Sequence, residues 1–452
     1  MKAYVIGLGR SGVAAARLLK QQGWEVIISD RGLSDSLQAH QRDLAQEEIT
    51  VKLQDTPTLD VLKTTDLIIV SPGVPWDVPV LVHAREANIP MYGEIELAWR
   101  SLSGIPWVGI TGTNGKTTTT ALCSVLLQGG GLNAPACGNI GNAACELGLK
   151  DTTWDWIIAE ISSYQIESSQ QLAPEIGVWT TFSPDHLERH YTLENYFAIK
   201  KSLLDRAQLK ILNGDDPYLR DLVNENWSQV HWTSIKGQEQ LLGKPSHGVY
   251  IEGDQIIAFG EKIIKVSDFP MAGDHNLQNL LLAVGAARLA GVEKSAIAQS
   301  IINFKGVPHR LEPICKIADI PFINDSKATN YEAATVGLSS VPSPVILIAG
   351  GQAKTGNDEE WFQLIKQKAS LVLLIGEAAP KFAQRLDKMG YFSYDIVVTM
   401  DNAVHEAING VKKDQGSVVL LSPACASFDQ YDNFEQRGDH FRQLCLGYGN
   451  DQ

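Results

Sequence analysis

Apolar positions along this chain gather into short runs rich in β-branched residues, separated by longer stretches of mixed polarity. The first stretch reads as strand Ala3–Gly7, a glycine turn, helix Val13–Gln22 and strand Glu25–Ser29, with a later strand Asp66–Val70 that ends at Ser71-Pro72-Gly73. Strands alternating with helices predict a parallel sheet. The rhythm pauses at Ser101–Pro106 and resumes with strands Trp107–Ile110, Trp156–Ala159 and Ile176–Thr181. In GVYIEGDQIIAFG, Gly253-Asp254 separates two alternating runs and predicts a β-hairpin attached to this second α/β core. Leu277, Leu280, Leu281 and Val284 stand at i, i+3, i+4 and i+7, which predicts an amphipathic helix over His275–Leu289. After Phe304, KGVPHR reads as a linker, and a third α/β stretch follows with strands Val345–Ala349, Leu371–Ile375, Ile396–Thr399 and Val418–Leu421. Three α/β domains are expected, over 1–102, 103–306 and 307–452.

Composition narrows the class. At 452 residues the chain is longer than one hydrophobic core usually serves, which agrees with several domains. A formal charge of −14 gives no sequence-independent attraction to nucleic acid or anionic lipid, so any phosphate must be met by a local site. The six cysteines are scattered, with no CxxC pair, as in a reduced cytosolic chain. The N-terminal apolar run is interrupted by Arg10, and no segment approaches the roughly 20 apolar residues of a membrane helix. A cytoplasmic location is expected.

Two glycine-rich turns carry candidate chemistry. Thr111-Gly112-Thr113-Asn114-Gly115-Lys116-Thr117 follows a strand and precedes a helix. There glycines turn backbone N–H groups toward phosphates, the lysine offsets β/γ charge and the Thr117 hydroxyl reaches a magnesium ion. Ile110 occupies the place of the first glycine in the strict GxxxxGK[ST] spacing, and Gly112 is the nearer glycine. Gly7-x-Gly9-x-x-Gly12, with Asp30 ending the next strand, is a dinucleotide fingerprint, yet its geometry suits any diphosphate on a helix N-terminus. Glu160 closes one strand of the second domain, and Asp185 and His186 lie beyond another, where side chains converge on the crevice of a parallel sheet. A carboxylate and an imidazole there can hold magnesium beside phosphates.

Taken together, TGTNGKT, CGNIG, AEISSYQIE, SPDHLERH, GDHNLQN, GVPHRLE, INDSKATN and LLSPACASFDQYDNFEQRG resemble the Mur ligase family, in order and over nearly the whole chain. The last two and NFEQRG are similar to the branch that adds D-glutamate to UDP-N-acetylmuramoyl-L-alanine. The resemblance implies a Rossmann-like N-terminal domain that binds the UDP-sugar, a central P-loop ATPase-like domain with a β-hairpin addition, and a Rossmann-like C-terminal domain that binds the amino acid. It implies an ATP- and Mg2+-dependent ligase in peptidoglycan precursor synthesis that works through an acyl phosphate, with a monomer as the expected state.

Residue by residue, the resemblance places ATP on Gly112, Thr113, Asn114, Gly115, Lys116, Thr117 and Thr118, and on Asn276, His309, Arg310 and Asp325. Thr117 and Glu160 would hold one magnesium, and His186 a second, completed by a carbamylated lysine. Lys200 in ENYFAIKKSLL matches that lysine, with Lys201 as the neighbouring alternative. Lys116, Glu160, His186 and Lys200 are thus the expected catalytic set. Gly9, Arg10, Ser11, Asp30, Arg31, Ser71 and Asn139 are implied in UDP-sugar binding, and Thr329, Lys354, Ser427 and Phe434 in D-glutamate binding.

Other readings compete. An NAD-dependent oxidoreductase rests on GxGxxG alone and leaves TGTNGKT unexplained. A non-catalytic nucleotide-binding regulator sits poorly with an intact Lys116, Glu160 and His186. Among ligases, a sibling adding another amino acid would show a DNPR-type motif where SPACASFDQ stands, and a folylpolyglutamate-type enzyme is the remaining relative.

Overall fold

The computed structural model describes residues 1–271, 273–353, 356–411 and 418–450. It divides into two compact units, Met1–Phe304 and Lys305–Gln452. The first unit contains two sheets and the second unit one.

The first sheet holds β1 (Lys2–Ile6), β2 (Glu25–Asp30), β3 (Thr50–Leu53), β4 (Leu67–Val70) and β5 (Met91–Gly93), in the order β3-β2-β1-β4-β5. All pairings are parallel. The strand order reverses between β1 and β4, so their carboxyl ends open a crevice at the topological switch point. β4 reads LIIV and is buried throughout, as expected of a strand covered on both faces.

The second sheet contains β6 (Trp107–Thr111), β7 (Ala136–Gly138), β8 (Ile157–Glu160), β9 (Ile176–Trp179), β10 (Leu209–Asn213) and β11 (Val230–Ser234). It also contains β12 (Val249–Glu252), β13 (Gln255–Ala258) and β14 (Glu261–Lys265). The order is β14-β13-β12-β11-β10-β9-β6-β8-β7. The pairings are parallel from β7 to β12, and the predicted hairpin β12–β13 then continues the sheet antiparallel. A third strand, β14, extends that hairpin beyond what the sequence suggested. β6, the strand feeding the glycine-rich loop, lies between β8 and β9, so Glu160 borders the loop on one side and the Thr180–His186 segment on the other.

Within the first unit the two sheets are joined through the helix Glu94–Ser101, whose first turn buries two carboxylates. Glu94 accepts from the Cys145 backbone N–H at 2.6 Å, and Glu96 accepts from those of Gln170 and Gln171 while Arg100 bonds its other oxygen. Burial pushes the Glu94 carboxyl up to about 7.

The second unit contains β15 (Glu312–Ile317), β16 (Ile320–Asn324), β17 (Val345–Gly350), β18 (Ala369–Ile375), β19 (Tyr394–Val398) and β20 (Val418–Leu421), in the order β15-β16-β20-β17-β18-β19. Only β15 is antiparallel. The loops after β16, β20 and β17 therefore leave the same end of three adjacent strands. Among the described residues no helix is long and apolar enough to cross a membrane.

Candidate active site

The turn after β1 is built for close approach. Gly7 has φ +100°, and a Cβ on Gly12 would overlap the Gly7 carbonyl oxygen and lie 2.9 Å from Ser71 Oγ. Ser71, just beyond β4, donates to that same carbonyl at 2.9 Å, and Asp30 accepts from the Leu8 and Gly32 N–H groups at 2.8 Å each. Both side chains thus shape the turn, and the helix Arg10–Gln21 starts from it with Gly9 as its cap and Arg10 and Ser11 in its first turn. Beside it a cavity of about 170 Å³ is lined by Gly7, Asp30, Arg31, Gly73, Val74 and Pro75 among others. Gly12→Ala is expected to destabilise the first unit by about 1–3 kcal/mol through overpacking, read from the thermal midpoint.

The second turn leads from β6 into the helix Lys116–Gly129, with Gly115 at φ +82° as its cap. Such a start presents unpaired backbone N–H groups to an anion. The Asn114 N–H bonds Thr181 Oγ1 at 2.9 Å, and Thr113 Oγ1 bonds Ser183 and the Tyr196 hydroxyl, which ties the loop to the segment after β9. Thr117 and Thr118 are buried in the first helical turn, and Thr119 reaches Asn279 on the helix Asp274–Leu289, which also carries the buried Asn276. Lys116 Nζ folds back onto the Gly112 and Thr113 carbonyls at 2.8 and 2.7 Å.

Lys200 arrives at the same place from the helix Leu193–Arg206. Its Nζ donates to the Gly112 carbonyl at 2.8 Å, lies over the Tyr196 ring at 4.6 Å, and the residue is 1% exposed. Burial, and then the charge of Lys116, lower its pKa well below the ordinary lysine value, with Asp185 opposing. Lys201, on another face of the helix, pairs with Asp205 at 2.8 Å and Glu225 at 3.3 Å. Burial lowers its pKa, but those partners outweigh burial and hold it above the ordinary value. The structure thus separates the two adjacent lysines.

Glu160, the last residue of β8, is 1% exposed. Oε1 accepts from Asn139 Nδ2 at 2.8 Å, while Oε2 is buried with no hydrogen-bond partner among the described residues. An unmatched carboxylate oxygen in the interior is costly unless a cation meets it. His186 lies across the loop with φ +54°, a backbone region uncommon for side-chain-bearing residues and often found at functional sites. Its Nδ1 is 3.1 Å from the Tyr164 hydroxyl, and Nε2 is 3.4 Å from Asp185 Oδ2. Among the described residues no three His, Cys, Asp or Glu side chains converge as a protein-only metal site. An orphaned carboxylate oxygen with neighbouring hydroxyls fits magnesium, which keeps waters and binds through one or two carboxylates plus phosphate oxygens.

In the second unit, the loops after β16 and β20 bring Asp325, Thr329 and Ser427 to one end of the sheet. Asp325 is wholly buried, accepts from Ser422 Oγ at 2.9 Å and from the Leu311 N–H at 3.3 Å, and burial pushes it up to about 7 against the opposing charge of Arg310. His309, also at positive φ, is 3.1 Å from Asn324 Nδ2 through Nδ1 and meets Phe434 edge-on; burial lowers its pKa. Ser427 is buried, Thr329 is half-buried, and Phe434 opens the helix Phe434–Asn450. Lys354 lies outside the described residues.

The raised Asp325 pKa has a stability consequence. A carboxyl near 3.9 unfolded and about 7 folded stabilises the fold fully below pH 4, and that contribution is lost as pH rises through 7. Asp325→Asn is expected to abolish this loss, worth up to about 4 kcal/mol, so its advantage in urea unfolding grows from pH 5 to pH 8.

Two residues that lie inside the quoted motifs, Arg437 in NFEQRG and Tyr164 in AEISSYQIE, had no role assigned from the sequence. Arg437 is 1% exposed and donates to Ser326 Oγ and O and to the carbonyls of Cys425 and Ala426, pinning the loops that carry Thr329 and Ser427. Tyr164 contacts His186. A lone arginine in a polar helix and a tyrosine in a short turn give no sequence signal of burial or partner.

Comparison with known proteins adds to this geometry. The family model for the Mur ligase middle domain matches residues 110–287, and that for the Mur ligase MurD-like N-terminal domain matches residues 1–93. The UDP-N-acetylmuramoylalanine–D-glutamate ligase of Rippkaea orientalis is 63% identical over 448 residues, covering 98% of each chain. That of Synechocystis sp. is 58% identical over 450 residues, covering 99% of each. In three dimensions the chain is similar to the UDP-N-acetylmuramate-alanine ligase of Thermotoga maritima, with a TM-score of 0.62 at 16% identity and all of both chains covered. A pseudomurein peptide ligase from Methanothermus fervidus gives 0.57 at 20% identity over 99% of each chain. These two likenesses speak to the three-domain fold.

Proposed function

Because the chain belongs to the Mur ligase family, we propose that it uses ATP to join D-glutamate to the carboxylate of UDP-N-acetylmuramoyl-L-alanine through an acyl phosphate. The observation that carries this reading is the presence of two separate glycine turns on helix N-termini in one compact unit, beside relatives of that name at near-full length. The P-loop takes the ATP triphosphate. The β1 turn then takes the diphosphate of the UDP-sugar, with the cavity at Asp30 and Arg31 for the base and Asn139 and Ser71 toward the sugar.

The reaction proceeds in two steps. A substrate carboxylate oxygen attacks the γ-phosphorus, ADP leaves, and an acyl phosphate forms. The D-glutamate amine then attacks the acyl carbon, phosphate leaves with the C–O bond, and the nitrogen loses a proton to give the amide. Because the phosphoryl transfer state is highly charged, the site contributes positioning and positive charge. Lys116 turns from the loop carbonyls to the phosphates, and the amides at the start of its helix hold their oxygens. Bound magnesium would supply positive charge that offsets the phosphates. Thr117 and Glu160 Oε2 would hold one magnesium, and His186 with a carbamylated Lys200 a second.

Lys200 suits carbamylation because burial favours its neutral amine. That amine attacks carbon dioxide, an N–C bond forms, one proton leaves, and an anionic oxygen ligand replaces a cation. Asn276, His309, Arg310 and Asp325 serve the nucleotide. Thr329, Lys354, Ser427 and Phe434 serve D-glutamate, with the Lys354 charge matched to a dicarboxylic acid.

The acyl-phosphate step is tested with acceptor carrying 18O in its carboxylate. One labelled oxygen is expected in each phosphate released; unlabelled phosphate throughout refutes the mechanism. In parallel, the β1 turn is expected to answer to the UDP-sugar in a fluorescence titration, whereas tight NADH binding with no such response contradicts its assignment.

A further inference from the structure

We propose that Tyr164 is a positioning residue that orients the His186 imidazole, and through it the metal site of the ligation reaction. The inference rests on the reading of His186 as a metal ligand and goes beyond it by assigning the group that aims the ring. Tyr164 lies in the helix Ser163–Glu167, which begins at the carboxyl end of β8 three residues after Glu160. Ser162 and Gln165 close a capping box there, with Oγ accepting from the Gln165 N–H and the Gln165 side chain accepting from the Ser162 N–H. The short helix is thus fixed at its start, directly beside the candidate metal carboxylate.

From this helix the Tyr164 hydroxyl stands 3.1 Å from His186 Nδ1, with ring centroids 5.1 Å apart. Glu188, whose carboxylate is 3.8 Å from that nitrogen, lies beyond hydrogen-bond reach and is 72% exposed. Nδ1 therefore belongs to the phenol, and Nε2, on the Asp185 side of the ring, is the nitrogen for a metal. Tyr164 is itself held: Arg189 lies over its ring at 5.0 Å and pairs with Glu167 at 2.7 Å, and the His190 ring is 5.4 Å away. A phenol hydroxyl can donate or accept.

That dual capacity matters because His186 must change partners. In the tautomer with the proton on Nε2, the nitrogen facing Asp185, Nδ1 can accept from the phenol. With a cation on Nε2, the proton would sit on Nδ1, and the phenol oxygen would accept a hydrogen bond from that N–H. A hydroxyl serves both tautomers without moving; a backbone carbonyl would serve only one. Partners of this kind typically change metal affinity ten- to a hundred-fold when removed.

The test is Tyr164→Phe in the full chain, which deletes one oxygen from a half-buried ring. The two readouts are Mn2+ affinity in the presence of a non-hydrolysable ATP analogue and the ring-nitrogen resonances of 15N-histidine-labelled protein, with His186 assigned through His186→Gln. We expect Mn2+ to bind roughly ten- to a hundred-fold more weakly and the His186 nitrogens to shift in the metal-free protein, with the thermal midpoint little changed. Unchanged His186 resonances overturn the proposal, because a residue acting only in packing would leave them in place. If His186→Gln keeps wild-type Mn2+ affinity, the metal-ligand reading of His186 fails, while the resonances still report whether Tyr164 sets the ring.

Discussion

Lys200→Ala is expected to lower ligation by roughly 10²–10³-fold while the chain stays folded. The side chain is buried against the P-loop, and its nitrogen bonds the Gly112 carbonyl that Lys116 also bonds. Two cationic groups on one carbonyl oppose each other, and burial disfavours charge on the inner one, which favours the neutral amine that the proposed reaction of Lys200 with carbon dioxide requires. Truncation removes the resulting anionic oxygen from the phosphates while sparing the fold a desolvated amine. Bicarbonate or a short carboxylic acid should partly restore turnover by supplying an oxygen ligand. Lys201→Ala removes a partly exposed ion pair worth about 0–1 kcal/mol and should leave turnover nearly unchanged. Normal turnover in the first variant with loss in the second would reverse the assignment.

Arg437→Ala is expected to destabilise the second unit by about 3–5 kcal/mol. Its guanidinium makes five hydrogen bonds in the interior, all to neutral oxygens of the segments at Ser326 and at Cys425–Ala426. Burial lowers its pKa to about 10, so it remains charged at neutral pH, and its removal takes a donor from the Ser326 and Cys425 carbonyls, while the Ala426 carbonyl keeps the Gln352 N–H and Ser326 Oγ keeps the Phe434 carbonyl. Lysine offers a point charge rather than a planar fork and should recover only part of the loss. Because Thr329 and Ser427 stand on those two segments, the KM for D-glutamate should rise at least about tenfold at temperatures where the variant is still folded. Urea unfolding and amino-acid titration of the full chain measure both effects.

Strands such as β4, β6 and β20 were legible because they read as continuous apolar runs, and β20 matches its predicted bounds, Val418–Leu421. The buried interior strand β10, LKILN, was missed because Lys210 and Asn213 break its apolar run. β3 was not legible: its TVKL sequence is half-exposed at the edge of its sheet, so packing imposes no pattern on it. β14 and β15 are edge strands with charged residues and escaped for the same reason. In the site, loop residues such as Gly112–Thr117 were legible because their chemistry resides in the backbone and in adjacent positions. Lys200 and Lys201 were not separable by motif, since neighbours on a helix point about 100° apart and only the packing of the Leu193–Arg206 helix says which face is inner. Tyr164 and Arg437 find their partners 22 and up to 111 positions away, distances at which a single sequence carries no pairing signal.

The central claim is that this chain activates UDP-N-acetylmuramoyl-L-alanine and couples it to D-glutamate. The direct measurement is ADP release with that acceptor in the presence of D-glutamate, L-glutamate, D-aspartate, L-lysine or meso-diaminopimelate, with the product mass recorded in each case. ADP release and one new amide are predicted with D-glutamate in preference to the others. Preferential use of any other amino acid, or ADP release with no amide formed, would contradict it.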